Sequence, residues 1–122
     1  MTAMSLTKKQ LLDELVCSKP EKLKEKVFGQ DMWVKPVSEF QRSRRLASIY
    51  GKDGEISKDA IRKARIFTIV DHLCDEEGNS LFAESDIKEL MDLDALKLDI
   101  VINSIEKWVV EREGKILGGS KK

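Results

Sequence analysis

Between Leu98 and Val109 the sequence sets Leu98, Val101, Ile102, Ile105, Trp108 and Val109 three and four residues apart. That spacing puts six large apolar side chains on one side of a helix, which must be covered to be stable in water. The stretch from Lys58 to Cys74 can cover it. There Ile61, Ile66, Phe67, Ile69, Val70 and Leu73 fall on more than one side of a helix, as expected for an element at the centre of a core. Asp94 and Ser57 are the expected N-caps of these two helices. Each large apolar side chain contributes roughly 1.5–3 kcal/mol on burial, so the pair should dominate the fold, and a charge at Ile105 should unfold it. A chain of 122 residues encloses one such core and no second, so residues 1–122 read as a single domain.

The N-terminal third has a different rhythm. Thr7 and Gln10 form a capping box ahead of Leu11, Leu12, Leu15 and Val16, which predicts a short first helix ending at Ser18, Lys19 and Pro20. From Glu21, Leu23 and Val27 alternate with Lys22, Lys24 and Lys26, a strand pattern with one solvated side. A turn at Gly29, Gln30 and Asp31 leads to a return strand from Met32 to Val37, giving a β-hairpin. Pro36 donates no ladder hydrogen bond, so that return strand is expected at an edge. Ser38 and Gln41 form a second capping box, opening a helix through Phe40, Leu46, Ile49 and Tyr50 that stops at Gly51. The linker from Gly51 to Ile56 is polar. After the central helix come an acidic turn from Asp75 to Asn79, a return of Leu81 and Phe82 to the core, and a short helix from Ser85 to about Met91. Beyond Gly114 the tail, residues 114–122, is expected to fray. The fold class is therefore mainly α, a small helical domain with an N-terminal β-hairpin.

Composition and motifs restrict the chemistry. Lys plus Arg and Asp plus Glu both number 22, so no net field draws the chain to a polyanion. Cys17 and Cys74 are too few and too far apart for a disulfide framework or a zinc set, and read as two buried thiols in a reducing cytosol. No apolar run is long enough for a membrane span, and residues 1–10 lack the apolar stretch of a secretory signal. His72 is the single histidine. Its neighbours Asp71 and Cys74 point to other faces of a helix and cannot converge with it on one ion or nucleophile. No glycine-rich phosphate loop, GxSxG or HExxH occurs. The expectation is no catalysis, no metal and no cofactor.

Two groups of residues read as contacts. Phe28, Met32 and Trp33 surround a turn and an expected edge strand, where Trp and Met favour protein interfaces and an open edge can pair with another chain. Arg42, Arg44 and Arg45 lie in the first turns of a helix, where the macrodipole disfavours cations. They invite either an acidic protein partner or, as the alternative function, phosphate contacts by a small nucleic-acid-binding regulator with Tyr50 as a stacking group.

The order of these features resembles the tail assembly chaperones of long-tailed bacteriophages over about Val27 to Trp108. The residues that carry the resemblance are Trp33, Val34, Lys35, Pro36 and Val37 leading into the helix capped at Ser38. They are followed by a long apolar helix ending in Asp75, Glu76, Glu77 and Gly78, then Leu81, Phe82, Asp86, Ile87 and Leu90, and a closing amphipathic helix. The resemblance implies a non-enzymatic protein of the host cytoplasm, absent from the mature virion. Its partners would be the tape measure protein, which it keeps soluble, and the tail tube protein, which it helps recruit. It would also self-associate into a spiral or other oligomer around its client. Such families often make a longer form by translational frameshift, and the ending Gly118, Gly119, Ser120, Lys121, Lys122 looks like such a place.

Overall fold

The computed structural model describes residues 5–50, 54–55 and 58–118, with the side chains of residues 56–62 outside that description. The expected cap at Ser57, the stop at Gly51 and the inward side chain of Ile61 lie outside the described residues. In chain order the elements are α1 (Lys8–Leu15), β1 (Glu21–Lys22), β2 (Trp33–Val34), α2 (Glu39–Ile49), α3 (Lys58–His72), β3 (Leu73–Cys74), a 3-10 turn (Glu84–Asp86), α4 (Ile87–Leu90) and α5 (Ala95–Gly118). The architecture is mainly helical with a small three-stranded antiparallel sheet in the order β1-β2-β3.

Core packing follows the two apolar patterns. Ile66, Phe67, Ile69, Val70 and Leu73 from the central stretch meet Ile102 and Ile105 of α5, with Leu98, Val101, Trp108 and Val109 packed at the margin. Ile105 is 0% exposed. Val34, Leu23 and Val27 close one end of this core, and Ile87 and Leu90 of α4 close another. Asp94 Oδ1 accepts from the Leu96 and Lys97 amides, starting α5 as expected. An ion pair between Arg65 and Asp99 ties α3 to α5 on the solvent side.

The sheet departs from the expected free hairpin. Glu21 and Lys22 pair with Val34 and Trp33, but Trp33 and Val34 also pair on their other side with Cys74 and Leu73. The return strand is therefore central, not an edge. Pro36 is tolerated because ladder bonding ends one residue before it, where the Lys35 amide donates to the His72 carbonyl at 3.0 Å. This pairing also ends α3 at His72 and turns Leu73 and Cys74, expected as its last residues, into β3. The tight turn sits one residue earlier than its glycine, glutamine and aspartate imply. Val27 and Gln30 exchange both backbone hydrogen bonds, leaving Phe28 and Gly29 at the tip with φ of 53° and 73°, the two positive angles a two-residue hairpin turn requires.

Three smaller corrections concern the C-terminal half. Phe82 packs on the core but Leu81 is 54% exposed, because its amide bonds to the Leu73 carbonyl and leaves the side chain outside. The acidic turn is a closed structure in which Asp75 Oδ1 accepts from the Glu77 and Asn79 amides and Gly78 adopts φ of 91°. Finally, α5 runs through Gly114 to Gly118, so residues 114–118 are helical where a frayed tail is expected. One glycine costs a helix only about 1 kcal/mol, and Lys115, Ile116 and Leu117 after it are adequate helix formers.

Candidate protein-binding surface

Helix α2 is amphipathic, and it is mounted with its apolar side outward. Phe40, Ser43, Ala47 and Tyr50 recur at intervals of three, four and three, with Leu46 beside them, and all are exposed. Phe40 is 75% exposed and Tyr50 50%. The side that faces α3 carries Gln41, Arg44, Arg45 and Ile49, all half-buried. A helix held only by the hydrophobic effect would turn the other way.

Polar contacts hold it in this orientation. The Arg45 guanidinium donates to the Ala64 carbonyl at 2.7 Å and to Thr68 Oγ1 at 3.0 Å. Arg44 reaches the fully buried Asp71 carboxylate at 3.4 Å and Glu84 at 3.3 Å, joining α2, α3 and the 3-10 turn. Ala64, Thr68 and Asp71 lie on one face of α3 at helical spacing, so the two arginines clamp α2 along two turns. Among the described residues Asp71 Oδ2 has no hydrogen-bond partner, and Arg44 Nε lies 3.3 Å from Glu84 without hydrogen-bond geometry, so the clamp is incompletely satisfied. Burial raises the Asp71 pKa above its ordinary value, with Arg44 and then Arg45 opposing the shift. Beyond α2, the Ser38–Gln41 capping box is formed in both directions, so the start of the helix is fixed.

The contact candidates read from the sequence divide accordingly. Arg44 and Arg45 turn inward and serve the fold, while Arg42 stays at the surface in a 2.7 Å pair with Glu39. Met32 is packed against the core and Trp33 is half-buried in the central strand, so neither lies on an open edge. Phe28 is 56% exposed at the tip of its turn, in a left-handed conformation that costs a bulky residue about 1–2 kcal/mol. Sequence reasoning did not single out Phe40 and Leu46 as contacts, and it gave Tyr50 only a base-stacking role. The signal was present: three cations follow Ser38 on the same helix as these apolar residues, leaving open which side faces the core.

Helix α1 is a second unpartnered apolar element. Thr7 and Gln10 form their capping box in both directions, yet none of its residues is buried and Leu11, Leu12, Leu15 and Val16 are 43–69% exposed. By contrast the polar cluster around His72 is internal. Its Nδ1–H donates to the Lys35 carbonyl at 2.8 Å, its ring meets Trp108 edge to face, and burial lowers its pKa. Burial likewise raises the Cys74 thiol, away from reactivity, whereas Cys17, expected to be buried too, is exposed because it follows α1, none of whose residues is buried. A groove of about 150 Å³ between residues 21–25 and α5 is crossed by Lys24–Glu111 and Lys107–Glu25 pairs at 3.9 Å. It is smaller than the roughly 300 Å³ at which ligand pockets begin. Among the described residues no group of three or more acidic, histidine or cysteine side chains could hold a metal, and no helix is long and apolar enough to cross a membrane. Comparison with family models, curated proteins and solved structures finds no match for this chain.

Proposed function

We propose that this chain is a non-enzymatic tail assembly chaperone of the long-tailed phage type. It holds the apolar helices of a tape measure protein in solution, self-associates along that client and brings tail tube subunits to it. In this reading it acts in the host cytoplasm and leaves before the virion is complete. The observation that carries the proposal is the outward apolar face of α2, clamped in place by buried arginine contacts. Such a face remains rigid and exposed without collapsing onto its own core, as a binder of amphipathic client helices requires. The exposed Phe28 tip and the bare α1 add apolar area of the same kind.

Nucleic-acid binding through Arg42, Arg44 and Arg45 has less support, since two of the three guanidiniums are engaged internally. The test is co-expression with the tape measure protein encoded beside this chain, followed by light scattering of the soluble fraction. Several copies per soluble client is the expected result, with Phe40→Ser/Tyr50→Ser losing it. A client that stays insoluble beside a soluble chain sinks the proposal. Capture of DNA or RNA instead, weakening steeply with added salt, would move the function to nucleic acid.

A further inference from the structure

The two unpartnered apolar elements fit one another in length, pattern and charge. Helix α1 is 8 residues long, and an isolated helix below about 12 residues is marginal in water. Its charges also oppose its own macrodipole, with Lys8 and Lys9 in the first turn and Asp13 and Glu14 in the last. An antiparallel neighbour reverses that disadvantage. Laid antiparallel on α2, Asp13 and Glu14 fall at the positive helix start, beside the Arg42–Glu39 pair, and Lys8 and Lys9 fall at the negative helix end, which has no basic residue of its own. Leu11, Leu12, Leu15 and Val16 then cover Phe40, Leu46, Ala47 and Tyr50.

We infer that the α1 arm of one copy of this chain seats antiparallel on the outward face of α2 of the next copy. The inference rests on the reading of the α2 face as a protein-binding surface and names its occupant where two copies meet, for which a client helix of the same apolar pattern competes. Among the described residues of one chain, none covers either surface. The arm is tethered at the α5 flank, where Arg112 donates to Ser18 at 3.4 Å. Helix α2 occupies the Ala64, Thr68 and Asp71 side of α3, whereas α5 pairs with Arg65 and His72, rotated by about 100°. Arm and face are unlike patches on different flanks, so each joint leaves one arm and one face free to add a further copy. A two-turn helix on a three-turn face buries less than the roughly 1,200 Å² of a standard interface, so each joint is weak and assembly depends on concentration.

The test is sedimentation velocity of the full chain in reductant from about 10 μM to about 1 mM, a range suited to weak joints. Wild type should grow steadily in mass. An arm variant, Leu11→Ser/Leu15→Ser, and a face variant, Phe40→Ser/Tyr50→Ser, should each stay monomeric while keeping the wild-type circular dichroism spectrum. Their equimolar mixture should stop at dimers, because it holds one intact arm and one intact face per pair. Wild type that stays monomeric at 1 mM, variants that assemble like wild type, or a mixture that stays monomeric would each overturn the inference. Independently, a benzophenone photocrosslinker on the exposed thiol Cys17, next to α1, should map to residues 39–50 of another copy; crosslinks confined to another arm would overturn it too. A client kept soluble by a chain that never self-associates removes this inference, and with it self-association along the client, but leaves client binding by the α2 face. Arm-to-face assembly beside an insoluble client does the reverse.

Discussion

Helices α5 and α2 both pack on α3 and both are amphipathic, but they present opposite sides to it. In α5 Ile102 and Ile105 at the centre of the apolar stripe are fully buried, with Leu98, Val101, Trp108 and Val109 partly buried beside them. In α2 the aromatic residues face water and two arginines face inward. The two contacts therefore obey different physics. The α5 contact draws on apolar area, which is non-directional and grows with every methylene covered. The α2 contact draws on directed hydrogen bonds to the Ala64 carbonyl, Thr68 and Asp71, which fix rotation but add little net stability and leave the apolar face free. A helix bound in the second way is suited to display.

That contrast can be broken at several points. Ile105→Ala should cost about 2–5 kcal/mol in urea unfolding, and Ile105→Lys should prevent folding, because the cavity or charge lies in the fully buried contact. Arg44→Met should cost about 1–3 kcal/mol, since it strips the buried Asp71 of its main counter-charge; the Arg44 side chain is 38% exposed, which holds the figure below that of a fully buried pair. Adding Asp71→Asn should restore part of that loss, which would show that the penalty came from the orphaned carboxylate and not from lost packing of α2.

Protonation gives a third handle. Burial depresses the His72 pKa, so below about 6.5 the unfolded chain takes up a proton that the folded chain resists. Stability should fall as pH drops through that value toward the folded-state pKa, and His72→Asn should flatten the slope. Asp71 works in the opposite sense, binding its proton more tightly when folded, so its contribution declines as pH rises from 3.8 through its folded-state pKa. Urea midpoints of wild type, His72→Asn and Asp71→Asn across about pH 4 to 7.5 separate the two groups. Phe28→Gly should stabilise the chain by about 0.5–1 kcal/mol by relieving its left-handed backbone, while lowering client binding if the tip is a contact. Smallest of all, Phe40→Ser/Tyr50→Ser should leave stability within about 0.5 kcal/mol while abolishing client capture; a loss of several kcal/mol would mean that the face is part of the core after all.

Periodicity alone determined the central and closing helices, both N-terminal capping boxes, and the burial of Ile102, Ile105, Ile87 and Leu90. These features are local: a three-and-four repeat or a Ser-x-x-Gln pair is settled by side chains within one or two turns. Tertiary structure alone decided that the Trp33–Val34 strand is central, because its second partner, Leu73–Cys74, is 39 or more residues away and reads locally as the end of a helix. The same holds for α2. Its sequence supports either mounting, and the choice fell to Thr68 and Asp71, polar groups on a distant helix that reward an inward arginine and cannot reward an inward phenylalanine. The apolar face left outside is therefore a consequence of what α3 places beneath it, and no window of sequence around α2 contains that information.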